Sequence, residues 1–518
     1  MPMVPTNMGG TKITDPFTPN FVKFVEETLD EWKAVGMSIA VVDGDDVFSK
    51  GFGYATLPDK PATPDTLWYT GSTTKAFTTA TLSHLIESKK YPELSKGWQT
   101  PISSIIREDF VTQDVWATNN LTLEDAASHR TGLTNNDETI LVEEDGRPWT
   151  VKDIVRNLRS FPLRVQPRTE FQYNNEGYAT LSHVIETVTG KNLGDVLKEI
   201  IWGPLKINAT FLDLDQAKDA PEHLSTGYYW NKQDELYEAI PFLPTTVISG
   251  AGAGISNVVD YAKWIKCLLR EEPPLSKEVH KDIRKPRFID NPTPERGMDV
   301  SLYGLAWWRT SINGQVVYWH SGSVISHGAL VYWFPALDYG VVILANFPTP
   351  AREVIMRRLV DDKLDIPLDK RYDIAKELRD EKRKDEEDLK NADKTLFPNQ
   401  PNPPIPPSLD MSKFSGKYHA PGFGTYEFVE EASDEASTGK VLVAHRPDFL
   451  WKTRVTLRHV SGDFWVAFIA LMDNLEQEVD YFAAEFRFGV DGNPSGLEIT
   501  FSDRLEANGG KVLLERVQ

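Results

Sequence analysis

Hydrophobic and polar positions alternate with two different periods along this chain, and the change of period marks its elements. Phe21–Trp32 has helical spacing and is entered through Thr18-Pro19-Asn20, which predicts an amphipathic helix. It leads into an apolar run, Met37–Val42, which ends at the turn Asp43-Gly44-Asp45 and reads as a strand. Strand patterns return late, at Ala306–Ile312 and Gln315–Tyr318, joined by Asn313-Gly314, the strongest short hairpin signal. A second pair, Ala329–Phe334 and Gly340–Leu344, flanks Pro335–Tyr339. Strands at both ends of the region with helices between them predict an α+β fold: an antiparallel sheet closed by N- and C-terminal pieces, plus a helical portion.

The pattern breaks at residues 375–394, where charges of both signs interleave at i,i+4 spacing and predict a solvated helix. Six prolines between Phe397 and Pro407 then force an extended segment. Beyond it, short alternating segments follow at Gly424–Val429, Lys440–Ala444, Val455–Val460, Phe464–Ile469, Ala483–Val490, Leu497–Ser502 and Lys511–Arg516, the signature of a small antiparallel barrel or sandwich. The expected organisation is a domain over 1–374, a linker over 375–409 and a barrel over 410–518.

Composition narrows the class. Of 518 residues 40% are apolar and 25% charged, as in ordinary globular proteins, and no apolar run reaches the length of roughly 18 residues that a spanning helix needs. Fifty-six Lys and Arg against 76 Asp and Glu give a net charge of -20, which argues against nucleic acid as a partner; no membrane partner is expected either. Cys267 is the only cysteine, so an intramolecular disulfide and a cysteine metal cluster are both excluded. Met1–Asp15 has no secretory pattern, so a cytoplasmic location is expected, and the sequons at Asn120 and Asn208 then read as chance matches.

Several chemistries can be set aside. There is no Gly-x-Ser-x-Gly, no His-Glu-x-x-His and no Walker A sequence. Gly250–Gly254 has the wrong spacing for a dinucleotide fingerprint and reads as a glycine loop packed on another backbone. Ser-x-x-Lys occurs twice, about as often as chance allows in a chain this long. Ser437-Thr438-Gly439-Lys440 lies among small and acidic residues in an expected solvent turn, where nothing desolvates the lysine, so Ser437 is a decoy. Ser72-Thr73-Thr74-Lys75 instead runs into Ala76, Phe77 and Ala80 at helical spacing. Side chains three apart on a helix are neighbours, and a buried lysine loses proton affinity and can accept the serine proton. On this motif alone, Ser72 reads equally well as a plain helix cap with Lys75 in solvent.

A serine nucleophile also needs a second proton-handling group and an oxyanion hole. Tyr173-Asn174-Asn175 stands at the entrance of a predicted helix with Tyr178, Leu181, Ile185 and Val188 on one face and Gly190 at its end. His320-Ser321-Gly322 follows the strand Gln315–Tyr318, where a backbone N–H at the strand edge would face the site. Each of these also reads as an ordinary cap or turn.

Their order is more informative. Ser72-x-x-Lys75, Tyr173-x-Asn175 and His320-x-Gly322, in that sequence, resemble the serine β-lactamase-related family: class C β-lactamases, D,D-carboxypeptidase-type penicillin-binding proteins, D-aminopeptidases, and related esterases and acyltransferases. Gly36–Gly44 with Gly51–Ala55, Ala127–Leu133, Ser256–Ala262 and Tyr303–Leu305 resemble further segments of that family, so the likeness spans about residues 20–365. It implies a β-lactamase/transpeptidase-like fold, Ser72 as acylated nucleophile, Lys75 and Tyr173 sharing its proton, and Asn175 orienting a substrate amide. It implies an oxyanion hole from the backbone N–H groups of Ser72 and Ser323, no metal or organic cofactor, and a small-molecule or short-peptide substrate. Where true β-lactamases usually carry Lys-Thr-Gly, this chain has His320, ordinarily neutral near pH 7, and so lacks the cation for a substrate carboxylate. The expectation is ester or amide hydrolysis with poor β-lactam turnover; acyl transfer to a small acceptor uses the same acyl-enzyme, and a silent binding scaffold is the rival from another class. The C-terminal segment resembles the lipocalin-like module of some family peptidases, which implies either a narrowed active-site entrance or a stabilising appendage. Trp68, Tyr228, Tyr229, Trp230, Trp307, Trp308 and Trp333 are candidates for an aromatic acyl pocket, though most are expected in the core.

Overall fold

A computed structural model describes residues 15–133, 135–144, 146–433, 439–472, 478–501 and 510–518; the second Ser-x-x-Lys serine, Ser437, lies outside them. Thr18 caps the first helix, α1 (Pro19–Glu31), by accepting from the Phe21 N–H. The sheet begins with β1 (Gly36–Asp43), β2 (Asp46–Thr56) and the short β3 (Lys60–Pro61), and is completed much later by β4 (Phe288–Asn291), β5 (Ser301–Tyr303), β6 (Trp308–Ile312), β7 (Gln315–Val324), β8 (His327–Phe334) and β9 (Tyr339–Ala345). Its spatial order is β4-β5-β6-β7-β8-β9-β1-β2-β3, antiparallel throughout, so the two ends of the region meet where β1 pairs with β9.

Every residue of β1, β8 and β9 is buried, because the sheet is covered on both faces. That explains why these strands read as continuous apolar runs rather than alternating ones. One face carries α2 (Thr74–Ser88), α3 (Asn175–Thr189) and α4 (Val258–Arg270) together with the helical portion. The other carries α1, α5 (Ala351–Lys363) and the start of the charged helix α6 (Ile374–Lys390), which buries only Ile374 and Leu378.

Asn313 and Gly314 both have positive φ, 48° and 77°, as a two-residue hairpin turn between β6 and β7 demands. Two expectations shift here. The strand predicted from Ala306 starts at Trp308, since Ala306 holds a left-handed φ of 62°. The strand predicted to stop at Tyr318 continues to Val324, so His320-Ser321-Gly322 lies within β7 rather than in a turn after it.

The C-terminal region closes into an eight-stranded barrel, β10 (Gly416–Ala420), β11 (Gly424–Ala432), β12 (Lys440–Arg446), β13 (Thr453–Ser461), β14 (Phe464–Leu471), β15 (Glu478–Phe488), β16 (Pro494–Thr500) and β17 (Lys511–Val517). The sequence pattern showed seven of these; β10 escaped because its five residues, Gly-Lys-Tyr-His-Ala, give only two inward positions, Tyr418 and Ala420. Aromatic rings fill the interior, among them Phe414, Tyr418, Tyr426, Phe428, Trp465 and Phe486.

The barrel and the first domain are stitched together. The Val142 N–H donates to Asp448 O at 3.0 Å, the Leu450 N–H donates to Ile140 O at 2.8 Å, and Phe161 meets Phe423 edge-on at 5.4 Å. Leu450, carried by the barrel, is 1% exposed within the core of the first domain. Among the described residues no helix is long and apolar enough to cross a membrane.

Candidate active site

The central helix α2 is unusual in being buried on all sides through its first ten residues, Thr74–Ser83. Three of its threonines help make that possible: Thr74 Oγ1 donates to Gly71 O at 2.6 Å, Thr78 Oγ1 to Gly250 O at 2.8 Å and Thr79 Oγ1 to Lys75 O at 3.2 Å, so these buried hydroxyls are paired. Ser72 sits in a single 3₁₀ turn, Gly71–Thr73, immediately before the helix, and is the half-buried residue of an otherwise buried stretch.

Lys75 is 0% exposed. Its Nζ lies 3.0 Å from Ser72 Oγ, 2.6 Å from Asn175 Oδ1 and 2.8 Å from Ala251 O. Burial lowers its pKa to about 7, against the opposing pull of Asp137 and Glu176, which favour the charged form. Ala251 belongs to the glycine segment 250–254, expected as a loop; Ser249–Gly252 is instead a single helical turn. The segment does pack closely: a Cβ on Gly250 would lie 2.9 Å from Tyr178 O, and one on Gly254 would lie 2.5 Å from Thr70 Oγ1. That it also supplies a carbonyl to the lysine was not legible in the sequence.

Asn174 caps α3, accepting from the Gly177 N–H at 2.6 Å, and so sets Tyr173 and Asn175 on either side of the helix start. Burial raises the Tyr173 pKa well above that of a free phenol, against a smaller opposing pull from the Ser72 side chain. Its ring is held between His129, 4.2 Å away, and Trp308, stacked at 5.9 Å and 5°, with Lys75 Nζ 4.9 Å from its centroid. His129 clamps the same segment through its backbone and side chain, accepting from the Gln172 N–H at 2.7 Å on its carbonyl and from the Asn174 N–H at 3.0 Å on Nδ1. Of the seven candidate pocket aromatics, Trp308 stacks on Tyr173; Trp68, Trp307 and Trp333 are core residues.

Asn175 stands between the lysine and an acid. Its Oδ1 accepts from Lys75, and its Nδ2 donates to both Asp137 carboxylate oxygens, at 3.1 and 2.8 Å, so the amide bridges lysine and acid. Burial raises the Asp137 pKa, and burial together with Asp137 raises that of Glu176 to about 8. Asp137 and Glu176 carry no motif and were missed.

His320 is enclosed behind the serine. It is 1% exposed, its Nδ1 donates to Ser321 O at 2.5 Å, and its Nε2 accepts from the Tyr303 hydroxyl at 3.2 Å. Burial and the nearby Lys75 push its pKa down to about 3, so the ring is neutral and fully engaged. Gly322 packs on the serine turn: a Cβ there would lie 2.0 Å from Thr70 O and 3.2 Å from Ser72 N. Gly71, at a φ of +51°, answers it, since a Cβ on Gly71 would lie 2.6 Å from Ser323 N. Two glycines thus let β7 touch the serine turn backbone to backbone near the Ser72 and Ser323 nitrogens, and Ser323 is exposed.

Residues 21–365 match the β-lactamase family model. The chain belongs to the β-lactamase family. Among its relatives, the unguisins hydrolase ungD' of Aspergillus campestris is 39% identical over 95% of this chain and 91% of its own length. The unguisins hydrolase ungD of Aspergillus violaceofuscus is 35% identical over 95% and 89%. Among solved structures, the octameric penicillin-binding protein homologue of Pyrococcus abyssi superposes with a TM-score of 0.60 at 21% identity, over 93% of this chain and 97% of that one. The D-amino acid amidase of Ochrobactrum anthropi superposes with a TM-score of 0.55 at 20% identity, over 67% and 97%; both likenesses are of fold. This member of the β-lactamase family is a serine hydrolase.

Proposed function

We propose that the chain hydrolyses an ester or amide bond of a small, peptide-like substrate through an acyl-enzyme on Ser72. The observation that carries this reading is the hydrogen-bond inventory of Lys75. A neutral amine has two N–H donors and one lone pair. Asn175 Oδ1 and Ala251 O take the two donors, which leaves the lone pair for the Ser72 hydroxyl at 3.0 Å. With a pKa of about 7, roughly half of the lysine is in this basic form at neutral pH.

In that form Lys75 takes the Ser72 proton as Oγ attacks the substrate carbonyl carbon. The tetrahedral oxyanion accepts from the backbone N–H groups of Ser72 and Ser323, each such donor being worth about 3 kcal/mol. Tyr173 stays protonated, because burial holds its pKa high, so it donates to the leaving nitrogen or oxygen and is reprotonated from Lys75. Water then attacks the acyl ester, and the same groups return the proton to Ser72 Oγ.

The names of the two Aspergillus relatives make an unguisin the first substrate to test. An anionic substrate is disfavoured: burial keeps His320 neutral near pH 7, and Asp137 stands beside Lys75. A fluorophosphonate probe is expected to label the wild type and not Ser72→Ala, and a panel of an unguisin, a D-amino-acid amide, an activated ester and a cephalosporin is expected to show slow turnover of the cephalosporin alone. Labelling that persists in Ser72→Ala, or efficient cephalosporin hydrolysis, would overturn the reading.

A further inference from the structure

Behind the third motif lies a buried arginine that no motif announces. Arg352, in the first turn of α5, is 5% exposed. Its Nη1 donates to Gly322 O and to Ala329 O, each at 3.0 Å, and its Nε donates to Thr349 O at 3.1 Å. Gly322 and Ala329 face each other across β7 and β8, so one guanidinium nitrogen clamps both strands at the level of the serine turn. Space for it is reserved by Gly328, where a Cβ would lie 2.4 Å from Nη1.

The geometry of a strand gives this clamp a consequence. β6 pairs with β7 only over Gln315–Trp319, and the edge beyond that point faces the serine turn. In a trans peptide the carbonyl and the following N–H point opposite ways. Holding the Gly322 carbonyl toward β8 therefore turns the Ser323 N–H toward the other edge, where Ser72 lies. A charge-assisted bond to that carbonyl also polarises the peptide and makes its N–H a stronger donor.

We propose that Arg352 is a positioning residue for the oxyanion hole: it sets the plane of the Gly322–Ser323 peptide and strengthens the Ser323 donor without touching substrate. This rests on the reading above that Ser323 N–H receives the oxyanion, and the test separates the two.

Kinetics of wild type, Arg352→Lys and Arg352→Ala would be measured on p-nitrophenyl butyrate and on its thionoester, whose sulfur is a poor partner for an oxyanion hole. The wild type is expected to prefer the oxygen ester strongly. Both variants are expected to lose about 10-fold or more in kcat with KM changed less than about threefold, and to lose much of that preference, the lysine less than the alanine. Circular dichroism and thermal midpoints identify a variant that fails to fold; Arg352→Lys, which keeps a charge and a donor, then decides. A folded variant with wild-type kcat and undiminished preference for the oxygen ester would overturn the role of Arg352. A wild type with no preference would overturn the oxyanion reading itself, and the role of Arg352 with it.

Discussion

Lys75 is a base because of where its three neighbours stand, and that makes a pH dependence readable from single residues. Its pKa is lowered from 10.5 to about 7, so the basic form fills in as pH rises through 7. On a neutral ester kcat/KM is expected to climb about tenfold per pH unit below that point and to level off above it. Asp137 raises the lysine pKa, so Asp137→Asn, which removes the charge, is expected to move the limb toward lower pH; a limb that stays put or moves upward would show that the titrating group is not Lys75. At this scale residue type and helical spacing imply the contact of Ser72 with Lys75, while Tyr173 is brought in by motif order and His320 reads as neutral from its residue type. Motif order says nothing about burial, which lowers the His320 pKa further and ties Asn175 to an acid 38 positions earlier in the chain.

The decisive contact between elements is the seam of β7 against the 3₁₀ turn, made by Gly71 and Gly322. Gly322→Ala is expected to force that seam open, since its Cβ would stand 2.0 Å from a backbone oxygen. Loss of one oxyanion donor corresponds to about 100-fold to 1000-fold in kcat, and that is the fall expected in steady-state assays of a folded Gly322→Ala protein. A change below about threefold would contradict the seam. Periodicity found α1, the β6–β7 hairpin and the ends of the sheet, since each has a local cap or turn chemistry such as Thr18 or Asn313-Gly314. It stopped β7 short, because His320-Ser321-Gly322 reads as polar turn residues while the strand there is held by β8 and Arg352.

Across the whole molecule, the barrel is packed into the first domain rather than hung from it as a separate bead. The segment Ile140–Val142 that follows Asp137 is hydrogen-bonded to Asp448 and Leu450 of the barrel, and Arg446 fixes that loop by pairing with Asp448 at 2.8 Å and lying 3.6 Å over the Phe449 ring. Leu450→Ala should destabilise the protein by about 2–5 kcal/mol, the usual cost of emptying a buried leucine site, and should lower activity with it. Thermal unfolding within 1 °C of wild type would show that the two parts are merely tethered. Composition and the proline run indicated that a second domain exists; they could not indicate that its leucine completes the core of the first, because such a contact has no local pattern. Catalysis by this chain turns on the covalent step. In rapid-quench mass spectrometry of the full chain with p-nitrophenyl butyrate, a transient butyryl adduct is expected on Ser72, forming faster as pH rises through about 7 and absent in Ser72→Ala. Turnover with no adduct, or an adduct on another residue, would contradict it.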